Sequence, residues 1–249
     1  MYGWRALVIP VLAIVTFVTL IDVASTDATP ASALTEPQPT MIETTSAAAP
    51  EPTPPAEGEA APSVAPPAVA PVPFVEQGTG QLTVVPGSSP VYGTGPLQRF
   101  IVEVEDGINV DGAAFAAAVE GTLADPRSWG AGGDMSFQRV DGGEYDFRVS
   151  LVSPLNVERF CPGLGTGGYT SCRYGERAVI NLARWETAVP DYEGDVATYR
   201  LYVVNHEVGH ALGHGHEPCP GPGQLAPVMQ QQTLGLDGCG RNPWPYPDA

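Results

Sequence analysis

All four histidines of this chain fall within eleven residues, His206-Glu207-Val208-Gly209-His210-Ala211-Leu212-Gly213-His214-Gly215-His216. The pattern is H-E-x-x-H-x-x-G-x-x-H, and it restricts the local fold more than any other stretch does. His206 and His210 are four apart, so on a helix they share one face about one turn from each other. Two imidazoles placed in that way bind one small cation from the same side. Gly213 predicts a helix end in the left-handed conformation and a sharp turn, which brings His216 round to the same ion as a third ligand. Three nitrogen ligands leave a fourth position for water, the arrangement of a catalytic zinc rather than of a closed structural one. Glu207 stands beside the first ligand, near enough to reach that water without ligating the ion. The ion lowers the pKa of the water, and the carboxylate serves as general base for attack on a carbonyl carbon. H-E-x-x-H alone occurs in ordinary helices; the added glycine and third histidine at fixed offsets separate this stretch from them. His214 lies outside the ligand pattern and reads as a solvated residue or a support for the ligands.

Composition changes sharply near residue 75. Asp22 to Glu76 holds eight acidic residues and no basic one, within a stretch rich in Pro, Ala, Thr and Glu. Such a segment cannot bury a core and is expected to be a disordered linker with polyproline character, residues 22–76. Before it, Ala6 to Ile21 is an uncharged apolar run flanked by Arg5 and Asp22. It reads as a signal-peptide core or a short membrane anchor over residues 1–21, with an uncleaved anchor favoured and the positive N-terminus inside. Either reading puts the rest outside the membrane, secreted or anchored by one span. Residues 77–249 are long enough for one domain that buries roughly 70% of its unfolded surface.

The chain has no lysine and a formal net charge of −17. From Gln77 onward there are twenty acids and ten arginines, so this part alone carries about −10. An acidic chain without a basic patch excludes nucleic acid as a partner. Cys161, Cys172, Cys219 and Cys239 are an even number in a chain that reads as exported, and none has C-x-x-C spacing. Two disulfides are expected. Three connectivities are open, and pairing of neighbours, Cys161 with Cys172 and Cys219 with Cys239, closes the shortest loops.

The remaining signals alternate strand, helix, strands and helix. Leu82–Val85 and Val91-Tyr92 read as short strands around a Pro-Gly-Ser-Ser-Pro turn, and Phe100–Val104 as a third. Asp111 is placed to cap an alanine-rich helix running to Leu123 and stopped before Pro126. Met135–Val140 and Tyr145–Val152 read as strands joined by an Asp-Gly-Gly turn. Phe160–Arg173 is a glycine-rich loop, Ala178–Leu182 an apolar strand, and Asp195 a cap for the long helix that ends at Gly213. The class expected is α+β, with a twisted mixed sheet and two main helices.

The motif resembles that of the metzincin clan of zinc endopeptidases at its five defining positions: His206, Glu207, His210, Gly213 and His216. Pro227-Val228-Met229-Gln230 resembles the clan's Met-turn, with Met229 as the methionine. Asp125-Pro126-Arg127-Ser128-Trp129, Val203 to His210, Pro227 to Thr233 and Asn242-Pro243-Trp244-Pro245-Tyr246-Pro247 resemble a family of secreted or membrane-anchored actinobacterial proteins catalogued as a domain of unknown function, over about Gly78 to Pro247. The resemblance implies a metzincin-like domain: a twisted sheet, a backing helix, a zinc-bearing active-site helix and a small irregular C-terminal part with the Met-turn. It also implies an edge strand that lines the cleft and pairs with extended substrate. Gly168–Arg173 is the candidate, the alternative being a loop merely stapled by Cys161 and Cys172. Some departures stand out. Where some metzincins have a tyrosine two residues past the methionine, this chain has Gln231. Glu217 follows the third histidine as in astacin-like members, without an evident freed N-terminus to meet it. No cysteine precedes Cys161, which excludes latency through a prodomain thiol.

The expectation is an extracytoplasmic zinc endopeptidase. His206, His210 and His216 are its Zn2+ ligands and Glu207 its general base, and the protein acts as a monomer on a protein or peptide substrate. Two alternatives remain: a non-catalytic surface protein with a structural zinc, and a zinc amidase acting on cell-wall material.

Overall fold

Alternation along the strands decides which side of the sheet is dry. In β3 (Leu97–Glu105), Phe100 and Val102 face the main core while Glu103 and Glu105 face the other way. In β5 (Phe147–Val152) Phe147, Val149 and Leu151 do the same, and in β7 (Arg177–Asn181) Ala178 and Ile180. The structure, a computed structural model, describes residues 74–249. The apolar run Ala6–Ile21 and the proline-rich segment up to Pro73 lie outside the described residues, among which no helix is long and apolar enough to cross a membrane. Phe74 and Val75, at the end of the stretch assigned to the linker, pack against the main core.

Among the described residues the fold is α+β, with a mixed sheet and four α-helices. With β1 (Leu82–Val84), β2 (Tyr92–Gly93), β4 (Ser136–Arg139) and β6 (Cys172–Tyr174), the strand order is β2-β4-β3-β5-β7-β6, and β1 pairs with β3. The strands β4, β3, β5 and β7 run parallel; β1, β2 and β6 are antiparallel to their neighbours. Helices α1 (Gly112–Ala124) and α4 (Val196–Ala211) cover one face, and Phe115 of α1 packs edge to face on Trp185, which precedes α4 in the chain, at 4.9 Å between ring centroids. Short helices α2 (Val157–Phe160) and α3 (Leu182–Thr187) had no signal of their own in the sequence. The apolar strand ends at Asn181, whose side chain caps α3 by accepting from the Ala183 N–H at 2.9 Å.

The Asp-Gly-Gly turn does not make a hairpin. Both β4 and β5 pair in parallel with β3, on opposite sides: Phe100 is level with Arg139 on one side and with Phe147 on the other. The loop between them passes β3 at Arg99 and Phe100, where Val140 N–H donates to the Phe100 carbonyl and Asp146 N–H to that of Arg99. The cause is β3 itself. Phe100, Ile101, Val102 and Glu103 are buried in succession, and a strand buried on both faces belongs at the centre of a sheet.

On the face away from α1 and α4, polar groups are paired. Glu103 accepts from Ser150 Oγ at 2.8 Å and lies between Arg148 and Arg177. Glu105 accepts from Ser153 N–H and Oγ at 2.7 and 2.8 Å, from Gly80 N–H at 2.7 Å and from Asn156, tying the first residues of the domain to the sheet. Both disulfides join neighbours in sequence, Cys161 to Cys172 and Cys219 to Cys239.

Asp111 Oδ1 accepts from Ala113 and Ala114 N–H at 2.9 and 3.1 Å and caps α1 as its sequence position predicts. Asp111→Ala should lower the unfolding free energy by about 1 kcal/mol, read as a lower denaturation midpoint at unchanged slope.

Candidate metal centre

Asp195 Oδ1 accepts from Thr198 N–H at 3.0 Å and starts α4. The helix buries Tyr199, Tyr202, Val203 and Val208 and carries His206 and His210 in its last two turns. It stops where Gly213 turns to φ +97°, with His214 N–H donating to the Gly209 carbonyl at 2.9 Å. A side chain is strained at that φ, so glycine is what lets the chain double back. His216 thereby returns to the helix: its Nε2 is 3.0 Å from that of His210, and its ring is 5.4 Å from that of His206 between centroids.

The three imidazoles offer ligand atoms all within 4.8 Å of one another. Two of them are held by backbone carbonyls. His206 Nδ1 is 2.9 Å from the Val228 carbonyl, and His210 Nδ1 is 2.9 Å from that of His214. A carbonyl only accepts, so each Nδ1 carries the proton and each Nε2 presents a lone pair to the centre. Burial pushes the His206 pKa down to about 3 and holds His210 and His216 below the ordinary imidazole value. A set of neutral imidazoles oriented in this way fits a first-row divalent cation.

Glu207 is 4% exposed, and its Oε2 is buried without a hydrogen-bond partner. Burial pushes its pKa up to about 8. An unpartnered buried acceptor is costly, so this oxygen reads as one reserved for a group that arrives with the ligand.

What seats the helix is a missing side chain. A Cβ on Gly209 would stand 2.5 Å from Met229 Sδ and 2.6 Å from Trp129 Cζ2. Met229 is 1% exposed, and its segment is fixed from several sides. Glu217 N–H donates to the Met229 carbonyl at 3.1 Å, Tyr202 OH to that of Gln230 at 3.0 Å, and Gln232 Nε2 to that of Pro227 at 3.2 Å. The bridge between Cys219 and Cys239 brackets it in sequence. Trp129 donates from Nε1 to the Asn205 carbonyl at 2.9 Å and stacks on His214 at 4.3 Å between centroids. His214 thus supports two neighbours, Trp129 through its ring and His210 through its carbonyl.

A cleft of about 490 Å³ opens over the histidines and Glu207, with Leu164, Thr170, Arg173, Gln231 and Leu234 among its walls. β6 is the edge strand on that side, paired to β7 by Cys172, Arg173 and Tyr174. Of the expected edge segment, only Cys172 and Arg173 are in the strand; Gly168–Ser171 form the approach to it, within the loop stapled by Cys161 and Cys172. The segment is thus part edge strand and part stapled loop. Arg173 has no ion-pair partner among the described residues and bears on His210 by its charge. Trp129 and Tyr202 had no role readable in the sequence; their contacts join residues far apart in the chain.

A family profile described as "Protein of unknown function (DUF3152)" matches residues 69–247. No curated protein and no solved structure matches the chain.

Two outcomes are expected. Gly209→Ala should destabilise the protein by about 1–3 kcal/mol through overpacking, although alanine favours a helix by about 1 kcal/mol; thermal unfolding checks this. From Glu207 and His206 together, metal-free protein should be most stable on a plateau between about pH 4.5 and 6.5, where their opposing contributions cancel. Above 6.5 only Glu207 acts: an unfolded chain ionises it while the fold keeps it protonated to about 8, so stability falls as pH rises towards 8. Below 4.5 only His206 acts: an unfolded chain protonates it while the fold resists to about 3, so stability falls as pH drops towards 3. Glu207→Gln should flatten the alkaline limb of denaturation midpoints taken at several pH values.

Proposed function

We propose that this chain, which belongs to DUF3152, a family described as being of unknown function, is a zinc-dependent endopeptidase of metzincin type that acts outside the cytoplasm. The observation that carries this reading is the meeting of three imidazoles, whose ligand atoms lie within 4.8 Å of one another, with the buried, unpartnered oxygen of Glu207 beside an open cleft. His206, His210 and His216 would hold the zinc. When bound, zinc supplies Lewis-acid polarisation of a carbonyl and acidifies water at neutral pH.

The chain's own residues do the rest. With a cation's charge beside it favouring the ionised form over the burial that raises its pKa in the metal-free protein, Glu207 takes a proton from the attacking water at its carboxylate and delivers it to the leaving nitrogen. The β6 edge offers its free backbone groups to an extended peptide, and Leu164 and Leu234 supply apolar walls. Met229 fits the part of a Met-turn residue, packed beneath the helix that carries two ligands. A purely structural zinc has no use for an open cleft or for a buried base next to a ligand, which sets that alternative behind this one. The two disulfides and the apolar run near the N-terminus support an exported protein, acting as a monomer on a protein or peptide substrate.

The test is cleavage of a diverse peptide mixture by the zinc-loaded chain, with products read by mass spectrometry. Glu207→Ala should keep its zinc and lose cleavage by roughly 10²–10⁴-fold, and His206→Ala should lose the metal. A folded, zinc-loaded wild type that cuts no peptide would overturn the reading.

A further inference from the structure

Among the described residues that line the metal cleft, Arg173 is the only arginine and Glu207 the only carboxylate. We infer that Arg173 receives the carboxylate of an aspartate or glutamate side chain of the substrate, at one fixed position near the bond that is cut. This rests on the peptidase reading and gives it a substrate class, acidic peptides.

The sheet decides where the arginine side chain stands. β6 pairs antiparallel with β7, with Arg173 opposite Ala178 and Cys172 opposite Val179. Side chains of opposed residues lie on the same face of a sheet. Ala178 belongs to the main core, on the face that α4 covers, whereas Val179 and Cys172 belong to the small cluster on the other face. Arg173 therefore stands on the face of the metal helix, at the free edge of the sheet, where it lines the cleft. Its charge reaches the centre: burial comes first among the causes of the lowered His210 pKa, and Arg173 adds to it.

The second observation is that this cation is unengaged. Arg127, Arg139, Arg148, Arg177, Arg200 and Arg241 each pair with a carboxylate, whereas Arg173 has no ion-pair partner among the described residues. Arg184 donates to the Ala188 carbonyl and lies over the Tyr169 ring. Glu207 does not serve Arg173 either. Its Oε2 is unpartnered, and burial raises its pKa with no cation's charge opposing.

An extended peptide that adds to the β6 edge turns every second side chain towards the metal face. The one opposite Arg173 lies beside the guanidinium, where an opposite charge is favoured and a like charge disfavoured. Guanidinium can take a carboxylate through two parallel N–H bonds, which selects position as well as sign. With the reacting carbonyl at the metal centre and the strand in register on β6, the acidic residue has one place relative to the cut. The domain's charge of about −10 repels acidic peptides from afar, but physiological salt screens that repulsion beyond about 8 Å, and contact at Arg173 is shorter in range. A charge on an edge strand also hinders pairing with another chain; reversing a charge with that role alone would leave the cleavage preference unmoved.

The experiment uses the full chain, zinc-loaded, in two arms. In the first, cuts in mixtures of peptides with free and with amidated C-termini are aligned on the scissile bond for the wild type, Arg173→Met and Arg173→Glu, with zinc content measured for each. Aspartate or glutamate should be enriched at one position in both mixtures. Arg173→Met should lower kcat/KM for an acidic peptide by roughly 10-fold, as for the loss of a charge-assisted contact, and Arg173→Glu should turn the preference towards basic residues. In the second arm, acetylated and amidated tetraalanines with one glutamate, or glutamine in its place, are titrated into zinc-loaded Glu207→Ala protein and followed by NMR at the Arg173 Nε–H. One glutamate position should bind roughly 10-fold tighter than its glutamine counterpart, and adding Arg173→Met, followed at backbone amides, should remove the difference. Cuts without an acidic preference, or with one that survives Arg173→Glu, overturn the assignment and leave the peptidase reading standing. Cuts confined to free C-termini give the guanidinium to the chain end, and a glutamate advantage that persists in Arg173→Met gives the carboxylate to the zinc; either overturns the assignment. No cuts but glutamate binding that depends on Arg173 overturns the peptidase reading and keeps Arg173 as a carboxylate receptor. Neither cuts nor binding overturns both.

Discussion

The contact of Met229 and Trp129 with the bare backbone of Gly209 is the point on which the centre depends. The helix that carries His206 and His210 can lie so close to the C-terminal segment only because no Cβ stands between them. Helix propensity argues against glycine at this position, and tertiary contact overrides it. Once the helix is seated, the Val228 carbonyl comes within hydrogen-bond reach of His206 Nδ1 and turns the ring's lone pair inward. Packing and imidazole orientation are therefore one arrangement. A residue that enlarges position 209 would act on the histidine cluster without touching any of its three rings.

The C-terminal segment is held by polar contacts more than by regular structure. Tyr192 OH donates to Gln232 Oε1 at 2.8 Å, and Gln232 Nε2 reaches the Asn242 carbonyl at 2.7 Å. Asn242 in turn donates to the Ala226 carbonyl at 2.9 Å. Burial pushes the Tyr192, Tyr199 and Tyr202 hydroxyls well above the ordinary phenol value, so they stay protonated as donors. These bonds, with the bridge from Cys219 to Cys239, give an irregular stretch the fixed shape that a wall of a cleft requires.

Much of the site was legible early because it is local. A four-residue spacing on a helix and a glycine after it set where two histidines stand and how the third returns, and both are consequences of backbone geometry over a few residues. Asp111 and Asp195 as caps are equally local, each bonding an N–H two or three residues on. Pairing of neighbouring cysteines followed from short loops. The strand order did not follow. Asp141-Gly142-Gly143 carries a hairpin signature, but whether β4 and β5 meet depends on which strand has the greater need of the centre, and β3 takes it. The short helices α2 and α3 were illegible for a related reason: four and six residues do not establish a period.

The sequence by itself determined the spacing of the three histidines, the glutamate beside the first of them, the turn at Gly213 and the α+β class, because each is written in spacings of a few residues or in alternation along a strand. Only the tertiary structure decided that Glu207 keeps a buried oxygen without a partner and that Trp129 and Met229 meet at Gly209. The physical reason is that burial and the satisfaction of polar groups are properties of surroundings. Those surroundings are assembled from residues as far apart as Trp129 and Met229, and no local pattern records which of them will meet.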